Sequence, residues 1–413
     1  MELKWRRTKL ACYMGCITQA INVNLAPLLF IIFQNEFGFT FEQIGRIILI
    51  NFGTQIIADA VATKYVDRIG YRPSILAALA LSVAGLCSLS FMPRLLGGSY
   101  AGLVIPVVLY SFGSGLIEVL ISPVVEALPG DEKASMMSLL HSFYCWGQMA
   151  VVLITTLLIW RLGPAIWPVL AVVWALVPAV DFFIFLKAPI GNVVAEGETP
   201  MIVRDLFKSG FFWIAMILMI CSGSSELTMS QWSSLFAEKG LRVSKLLGDL
   251  LGPCLFAVLM GATRALYGVA GSKIDIHKAL IASGALCVVC YATTVFAANP
   301  IISLIGCAVC GVSVGLMWPG TLSFSAARFP MGGTAMFGVL AVCGDIGGAF
   351  GPWLAGVVSD AVQKTEKAAE LAVRFGMEAE QIGLKAGLLL GLVFPVCMFI
   401  ALIALAKSRK REG

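Results

Sequence analysis

The sequence predicts an all-α polytopic membrane protein with 12 transmembrane helices in two pseudo-symmetric six-helix bundles. Its composition, its long apolar segments and its polar central loop support this fold class. The 413 residues are 59% hydrophobic and 13% charged, with a mean hydropathy of +0.91. A soluble domain is about half apolar and about a quarter charged. The net charge of +5 lies largely in terminal and loop clusters, so we expect no nucleic-acid partner. We expect the protein to lie in a lipid bilayer.

Twelve apolar segments reach the roughly 20 residues that a spanning helix needs. They are 9–33, 43–65, 74–92, 99–127, 134–160, 165–187, 209–236, 246–271, 279–297, 300–326, 334–360 and 383–406. If the N-terminus is assumed to be cytoplasmic, most Lys and Arg residues fall in the cytoplasmic termini and loops. The positive-inside rule therefore places both termini in the cytoplasm. We expect a multi-pass protein of the plasma (cytoplasmic) membrane, the cell inner membrane, whose first helix serves as its own insertion signal.

The longest cytoplasmic loop divides the chain into two halves. The predicted organisation is 1–187 as an N-terminal six-helix bundle, 188–208 as a cytoplasmic linker and 209–413 as a C-terminal six-helix bundle. The loops after the second and eighth spans are weakly similar, with Arg68 aligned to Lys273 and Arg72 to His277. Parallel repeats of this kind place a substrate site near the midplane of the membrane. The stretch 361–382 is expected to form a short helix on the outer surface.

A few ionisable residues lie deep inside apolar segments. A charge at the bilayer centre costs about 2.5–3.5 kcal/mol on insertion scales, so such residues usually face a cavity or a partner. The predicted proton-coupling residues are Glu118, Glu226, Asp345 and His141. Gly223 through Ser225 favour a bent or broken helix before Glu226. Asp59 and Asp181 are interpreted as structural, and Arg264 as part of a second cytoplasmic gate.

Uncharged polar and aromatic residues are the candidates for solute binding. Amides bind hydroxyl groups and aromatic rings cover the apolar face of a sugar, which suits a neutral polyhydroxylated solute. The predicted substrate-binding residues are Gln19, Asn22, Asn24, Gln148, Gln231, Trp232 and Trp318. Four other tryptophans, Trp5, Trp160, Trp167 and Trp213, are assigned to the interfacial belt. The glycines between Gly344 and Gly351 should let helices approach closely.

Motifs of enzymes and metal sites are lacking in the sequence. It contains no P-loop, no HExxH and no distinctive Ser/His/Asp spacing. The 12 cysteines show no metal-ligand spacing and lie mostly in apolar runs, so we interpret them as free thiols. We therefore expect no enzymatic activity, no cofactor and no metal.

The loop Asp67-Arg68-Ile69-Gly70-Tyr71-Arg72 resembles the signature loop of the major facilitator superfamily, in which Asp-Arg-x-Gly is followed by basic residues. The resemblance implies that Asp67, Arg68, Gly70 and Arg72 help to latch a cytoplasmic gate. Positive-inside loop chemistry is the alternative, chiefly for Arg72. A second latch is expected at Gly271–Lys278.

Several helices are similar to the fucose permease group of sugar–proton symporters within that superfamily. Gly115-Leu116-Ile117-Glu118 followed by Pro123 is similar to the fourth helix of the group, and the stretches 139–143, 223–232 and 315–330 resemble its fifth, seventh and tenth helices. That group has an acidic residue in its first helix, near the position of Asn24 here.

The resemblance implies a secondary active transporter that moves a small polar solute, a sugar or sugar derivative, with protons by alternating access. The alternative is an exporter of organic ions or drugs with the same fold, and a non-transporting membrane sensor is a third possibility. Na⁺ remains open as the coupling ion, since carboxylates and amides also suit it. We expect a monomer.

Overall fold

The computed structural model describes residues 2–126, 128, 133–190, 203–270, 275–329 and 333–412. These residues form helices and connecting turns, with no strand among them. Eleven of the described helices are long and apolar enough to cross a bilayer, and a bent pair at the N-terminus brings the count to twelve. The predicted all-α polytopic fold is confirmed.

The first span is bent by 45° between α1 and α2. Pro27 lies in the last turn of α1, where it lacks the N–H that an interior helical residue donates. Leu29 then separates the two helices, and Gly38 ends α2 in the left-handed conformation, at φ 73°. The predicted single segment 9–33 therefore corresponds to two helices.

The chain divides into two compact units: unit 1 comprises Met1–Thr40 and Ile50–Glu196, and unit 2 comprises Phe41–Leu49 and Gly197–Gly413. The predicted boundaries at 187 and 208 stay a prediction, since most of 188–208 lies outside the described residues. The helices up to Lys187 are α1 (Glu2–Leu28), α2 (Phe30–Phe37), α3 (Phe41–Ile69), α4 (Tyr71–Leu89), α5 (Met92–Leu95), α6 (Tyr100–Glu126), α7 (Lys133–Leu162) and α8 (Trp167–Lys187).

Ten helices follow in unit 2. They are α9 (Val203–Leu206), α10 (Gly210–Leu235), α11 (Lys245–Asp249), α12 (Leu255–Ala270), α13 (Ile276–Phe296), α14 (Pro300–Arg328), α15 (Gly333–Gln363), α16 (Glu366–Phe375), α17 (Ala379–Gly391) and α18 (Val393–Glu412). Short π-helices at Phe236–Gly240 and Leu250–Cys254 lie between α10 and α12. The last predicted span, 383–406, is observed at Ala379–Leu405.

Helix pairs at corresponding positions of the two units pack closely, as expected for two six-helix repeats. In unit 1 the extensive pairs are α1 with α7 and α4 with α6, and in unit 2 they are α10 with α15 and α13 with α14. Small residues form these contacts. A Cβ atom at Gly113 would overlap the carbonyl oxygen of Ala78, and one at Gly223 would overlap that of Gly344. The predicted close approach along Gly344–Gly351 is confirmed.

The predicted break before Glu226 is wrong, because α10 is a continuous α-helix from Gly210 to Leu235. Its small residues pack against α15 instead of exposing backbone. Ser224 donates its hydroxyl to the carbonyl of Gly347 at 2.9 Å, and Ser225 donates to Cys221 one turn earlier at 2.7 Å. The departure from α-geometry comes only after Leu235, as a π-helical turn.

The short helix predicted within 361–382 is present as α16, and its position on the outer side of the membrane stays a prediction. Thr365 caps its N-terminus, since its hydroxyl oxygen accepts the backbone N–H of Ala368 at 3.1 Å. Most of its side chains are exposed, with Ala368 and Ala372 as the buried face. Gly376 ends it at φ 63°, a conformation that glycine adopts readily.

All 12 cysteines are free thiols, which confirms that interpretation. The interfacial assignment suits Trp160 and Trp213, which are exposed, but it is wrong for Trp167. Trp167 is fully buried and donates its indole N–H to Glu36 Oε2 at 2.8 Å. Arg94 forms an ion pair with the same carboxylate at 2.8 Å, so this tryptophan is part of a polar link inside unit 1.

Candidate functional site

Glu118 and Gln19 form the central polar contact of unit 1. Gln19 Nε2 on α1 donates to Glu118 Oε2 on α6 at 2.7 Å, and both side chains are half-buried. Gly15 and Gly115 allow the helices around this pair to pack closely, because a Cβ atom at either would overlap a neighbouring helix. A primary amide can donate to a carboxylate and can also accept from a carboxylic acid, so this contact is compatible with both protonation states.

The two predicted asparagines of unit 1 are buried and hydrogen-bonded within the unit. Asn22 donates to Ser82 Oγ at 2.9 Å and to the carbonyl of Tyr110 at 3.3 Å. Asn24 donates to the carbonyl of Ala20 at 2.9 Å and lies 3.4 Å from the hydroxyl of Tyr144. Asn22 thus joins α1 to α4 and α6, while Asn24 bonds mainly to its own helix.

Two predicted site residues lie on α7 at different depths in the packing. His141 is exposed and follows the buried Leu140. Gln148 is buried, one position after Gly147, where a Cβ atom would press against Ile17 and Ala20 of α1. The α1–α7 contact therefore positions Gln148 inside unit 1. The roles of both residues stay predictions.

In unit 2, Glu226 forms an ion pair that the sequence interpretation did not foresee. Arg264 Nη2 on α12 lies 3.2 Å from Glu226 Oε2 and 3.5 Å from Oε1. The two side chains are only 14% and 10% exposed, respectively. Arg264 was interpreted as a gate residue, whereas the structure places its guanidinium on a carboxylate of α10. The position of Arg264 within an apolar helix could have indicated this ion pair, because an intramembrane Arg normally has an acidic partner.

The remaining predicted residues of α10 are also buried. Gln231 is 2% exposed, as is Trp232, whose indole N–H donates to the carbonyl of Pro352 at 3.0 Å. The ring of Trp232 lies edge-on to Phe41 with centroids 6.2 Å apart. The polar group of Trp232 is thus used within unit 2, and its role as an aromatic platform for a solute stays a prediction.

Trp318 and Asp345 lie on the neighbouring helices α14 and α15 of unit 2. The half-buried indole of Trp318 on α14 lies over Gly344 on α15, where a Cβ atom would collide with the ring. Asp345 is the next residue of α15 and is buried at 4% exposure. The absence of a side chain at Gly344 therefore lets the Trp318 ring contact α15 one position before Asp345.

The predicted cytoplasmic gate is partly described. The side chains of Asp67 and Arg68 lie outside the described residues, as do residues 271–274 of the second loop. Gly70 joins α3 to α4 at φ 96°, which other residues rarely adopt. Arg72 donates to the carbonyls of Ala188 at 2.6 Å and Leu186 at 3.3 Å, at the end of α8.

The second loop ends in a capped helix start. Asp275 Oδ1 accepts the backbone N–H groups of His277 at 3.1 Å and Lys278 at 3.3 Å. These contacts, with the N–H of Lys278 as the main cause, lower the pKa of Asp275. No group of three or more metal-ligating side chains was found in the part of the chain that the structure describes.

Solved structures of membrane transporters share this fold. A D-xylose–proton symporter is 14% identical over 94% of this chain and 96% of that chain, with a TM-score of 0.75. A variant of the E. coli fucose–proton symporter is 14% identical over 97% and 98%, with a TM-score of 0.63. The nucleoside transporter NupG is 12% identical over 97% and 99%, with a TM-score of 0.72.

Sequence comparison assigns the family. Among curated protein sequences, none matches this chain. The sequence model of the Major Facilitator Superfamily matches residues 11–352, which confirms the resemblance seen in the loop after the second span. The superfamily consists of membrane transporters, which are generally not enzymes. The chain therefore belongs to the Major Facilitator Superfamily.

Proposed function

We propose that this protein is a secondary active transporter that moves a sugar or sugar derivative together with protons by alternating access. The observation that carries the proposal is the contact between Gln19 on α1 and Glu118 on α6, at 2.7 Å. A coupling group must bind and release a proton without disrupting the fold. A half-buried carboxyl beside an amide meets that requirement, since the amide can bond to either form.

Glu118 is the proposed primary proton carrier. When it is ionised, its carboxylate accepts the N–H of Gln19, and when it is protonated, its O–H can donate to the amide oxygen or to a solute hydroxyl. Solute binding near Gln19 would then change the proton affinity of Glu118. This is the differential interaction that coupling between two ligands requires.

Unit 2 would contribute assisting groups. The ion pair between Glu226 and Arg264 can separate if either partner bonds to a solute. Asp345 on α15 and Trp318 on α14 are proposed to contribute a carboxyl and an aromatic surface, two groups suited to a sugar. His141, Gln148 and Gln231 are proposed as further proton or hydroxyl ligands, and Asp67, Arg68, Gly70 and Arg72 as gate residues.

The comparisons support the substrate class only in general terms. Two of the similar structures are named as sugar–proton symporters and a third as a nucleoside transporter. Sugars and nucleosides share hydroxyl groups on a ring. The exporter alternative would use free carboxylates to bind an organic cation. It has less support, because Glu226 is already neutralised by Arg264.

The test uses purified protein in liposomes and a panel of labelled pentoses, hexoses and nucleosides. We expect counterflow of at least one sugar, and accumulation driven by an inward proton gradient. Glu118→Gln should retain counterflow and lose gradient-driven accumulation. Glu370→Gln, at an exposed position on α16, serves as the matched control and should retain both.

Other outcomes would redirect the proposal. Accumulation that follows an inward Na⁺ gradient and ignores the proton gradient would rule out proton coupling. Counterflow of nucleosides alone would change the substrate class. A folded protein that moves no member of the panel would overturn the sugar proposal, and extrusion of a toxic cation from cells would then support the exporter.

A further inference from the structure

Asp181 is a buried carboxyl that the proposed coupling scheme does not use. It lies on α8, six residues before Lys187, and its side chain is 0% exposed. Neither carboxylate oxygen has a hydrogen-bond partner among the described residues. The sequence interpretation treated Asp181 as structural. A structural carboxylate is normally held by donors, and the described surroundings supply none.

The surroundings of Asp181 are apolar side chains and thiols. Helix α8 packs mainly against α1 and α4. From α1, the thiols of Cys12 and Cys16 lie within electrostatic reach of the carboxyl. Both belong to the apolar cluster that also contains Phe185 of α8. Cys16 also lies within electrostatic reach of Glu118.

The one basic residue of α4 bonds elsewhere. Arg72 directs its guanidinium to the carbonyls of Leu186 and Ala188, at the end of α8 beyond Asp181. No Lys or Arg nitrogen of the described chain lies within ion-pair distance of the Asp181 oxygens; the pairs found there join other residues. Among the described residues, the carboxyl therefore has neither a counter-ion nor a hydrogen-bond donor.

Such an environment favours the neutral acid. An isolated carboxylate in a medium of low dielectric constant loses its hydration without compensation, and buried groups of this kind take up a proton instead. A thiol is only a weak donor and cannot replace the lost hydration. The protein's own helices bury the Asp181 side chain, so its burial does not depend on what surrounds unit 1.

We propose that Asp181 is a second proton-binding carboxyl of unit 1, which holds its proton while α8 packs against α1. Water entering the α1–α8 contact would hydrate the carboxyl and allow the proton to leave. A role for this proton in coupling rests on the proposed function, whereas proton binding itself does not.

Infrared spectroscopy of the full-length protein in lipid tests the proposal without any transport assay. A protonated carboxylic acid has a carbonyl stretching band that an ionised carboxylate lacks. At neutral pH we expect such a band, and we expect ¹³C-labelled aspartate to shift it. Asp181→Asn should reduce the intensity of the component that shifts with labelled aspartate. Asp360→Asn should leave it in place, because the Asp360 oxygens, unlike those of Asp181, accept N–H groups from Glu42 and Gln363.

A second variant covers the case in which Asp181→Asn does not fold. Asp181→Glu retains an acid at the site, so the band should remain but lose its response to labelled aspartate. The proposal is overturned if the labelled wild-type protein shows no aspartic acid band at neutral pH. It is also overturned if the band persists unchanged in folded Asp181→Asn. Both results are independent of whether the protein transports a sugar.

Discussion

Arg264 on α12 and Glu226 on α10 form a buried ion pair, with Nη2 and Oε2 3.2 Å apart. The pair joins two helices of unit 2 that are separated by two π-helical segments and the short α11. Removing one partner of a buried pair leaves an uncompensated charge, whereas an exposed pair contributes little. This contrast gives a direct stability test within one unit.

We expect Arg264→Ala to lower the stability of unit 2 by about 3 kcal/mol, because the Glu226 carboxylate loses its counter-ion. The measurement is the thermal unfolding midpoint in detergent. The double variant Arg264→Ala/Glu226→Gln should recover part of the loss, since no charge is then left unpaired. Lys208→Ala is the control, because its ion pair with Asp205 is exposed and should contribute at most about 1 kcal/mol. Equal shifts for Arg264→Ala and Lys208→Ala would contradict this account.

Gly223 should tolerate no side chain. A Cβ atom there would overlap the backbone of Gly344, and a backbone atom cannot move away as a flexible side chain can. We expect Gly223→Ala to lower the thermal midpoint, by an overpacking cost of about 1–3 kcal/mol. Gly338→Ala on α15 is the matched control, since its Cβ would meet nothing within 4 Å. A normal midpoint for Gly223→Ala would show that α10 and α15 are less closely packed than the structure indicates.

Asn22→Ala should destabilise unit 1. The amide of Asn22 is 1% exposed and bonds to Ser82 and to the carbonyl of Tyr110, so its loss leaves buried polar groups unpaired. The expected cost is about 1–3 kcal/mol, measured as a lower unfolding midpoint. Ser90→Ala removes only a local bond to Cys87 and should have a smaller effect. If both variants unfold at the wild-type midpoint, Asn22 does not support the packing of α1.

Asp275 should make the start of α13 sensitive to acid. Its pKa is lowered in the folded protein, mainly by the backbone N–H of Lys278. A lowered pKa means that the cap stabilises the helix above the pKa of the unfolded carboxyl, about 3.9, and that this stabilisation is lost as the pH falls through the folded value.

Hydrogen exchange of the amides of His277 and Lys278 measures this effect. After correction for the pH dependence of intrinsic exchange, their protection should fall as the pH drops below about 4. Asp275→Ala should show low protection at every pH, whereas Asp275→Asn retains a capping oxygen and should remove only the pH dependence. Protection that is independent of pH in the wild-type protein would contradict a role for the ionised cap.

The amino-acid sequence by itself determined the fold class, the approximate spans and the family. Long apolar segments can cross a bilayer only as helices or closed barrels, since their backbone groups need internal partners. That constraint makes span positions readable from local composition, as the agreement for 209–236 with Gly210–Gly240 illustrates. The loop from Asp67 to Arg72 was equally local, and the family match confirms the resemblance.

Only the tertiary structure decided which polar side chains meet. Gln19 and Glu118 are 99 residues apart, and Glu226 and Arg264 are 38 apart, so no local pattern joins them. The same small residues that predicted a broken helix near Glu226 instead pack α10 against α15, because the nearby glycines of α15 leave room for its backbone. Neighbours from distant parts of the chain decide whether a carboxyl has a hydrogen-bond donor. Glu118 has one in Gln19, whereas Asp181 has none among the described residues.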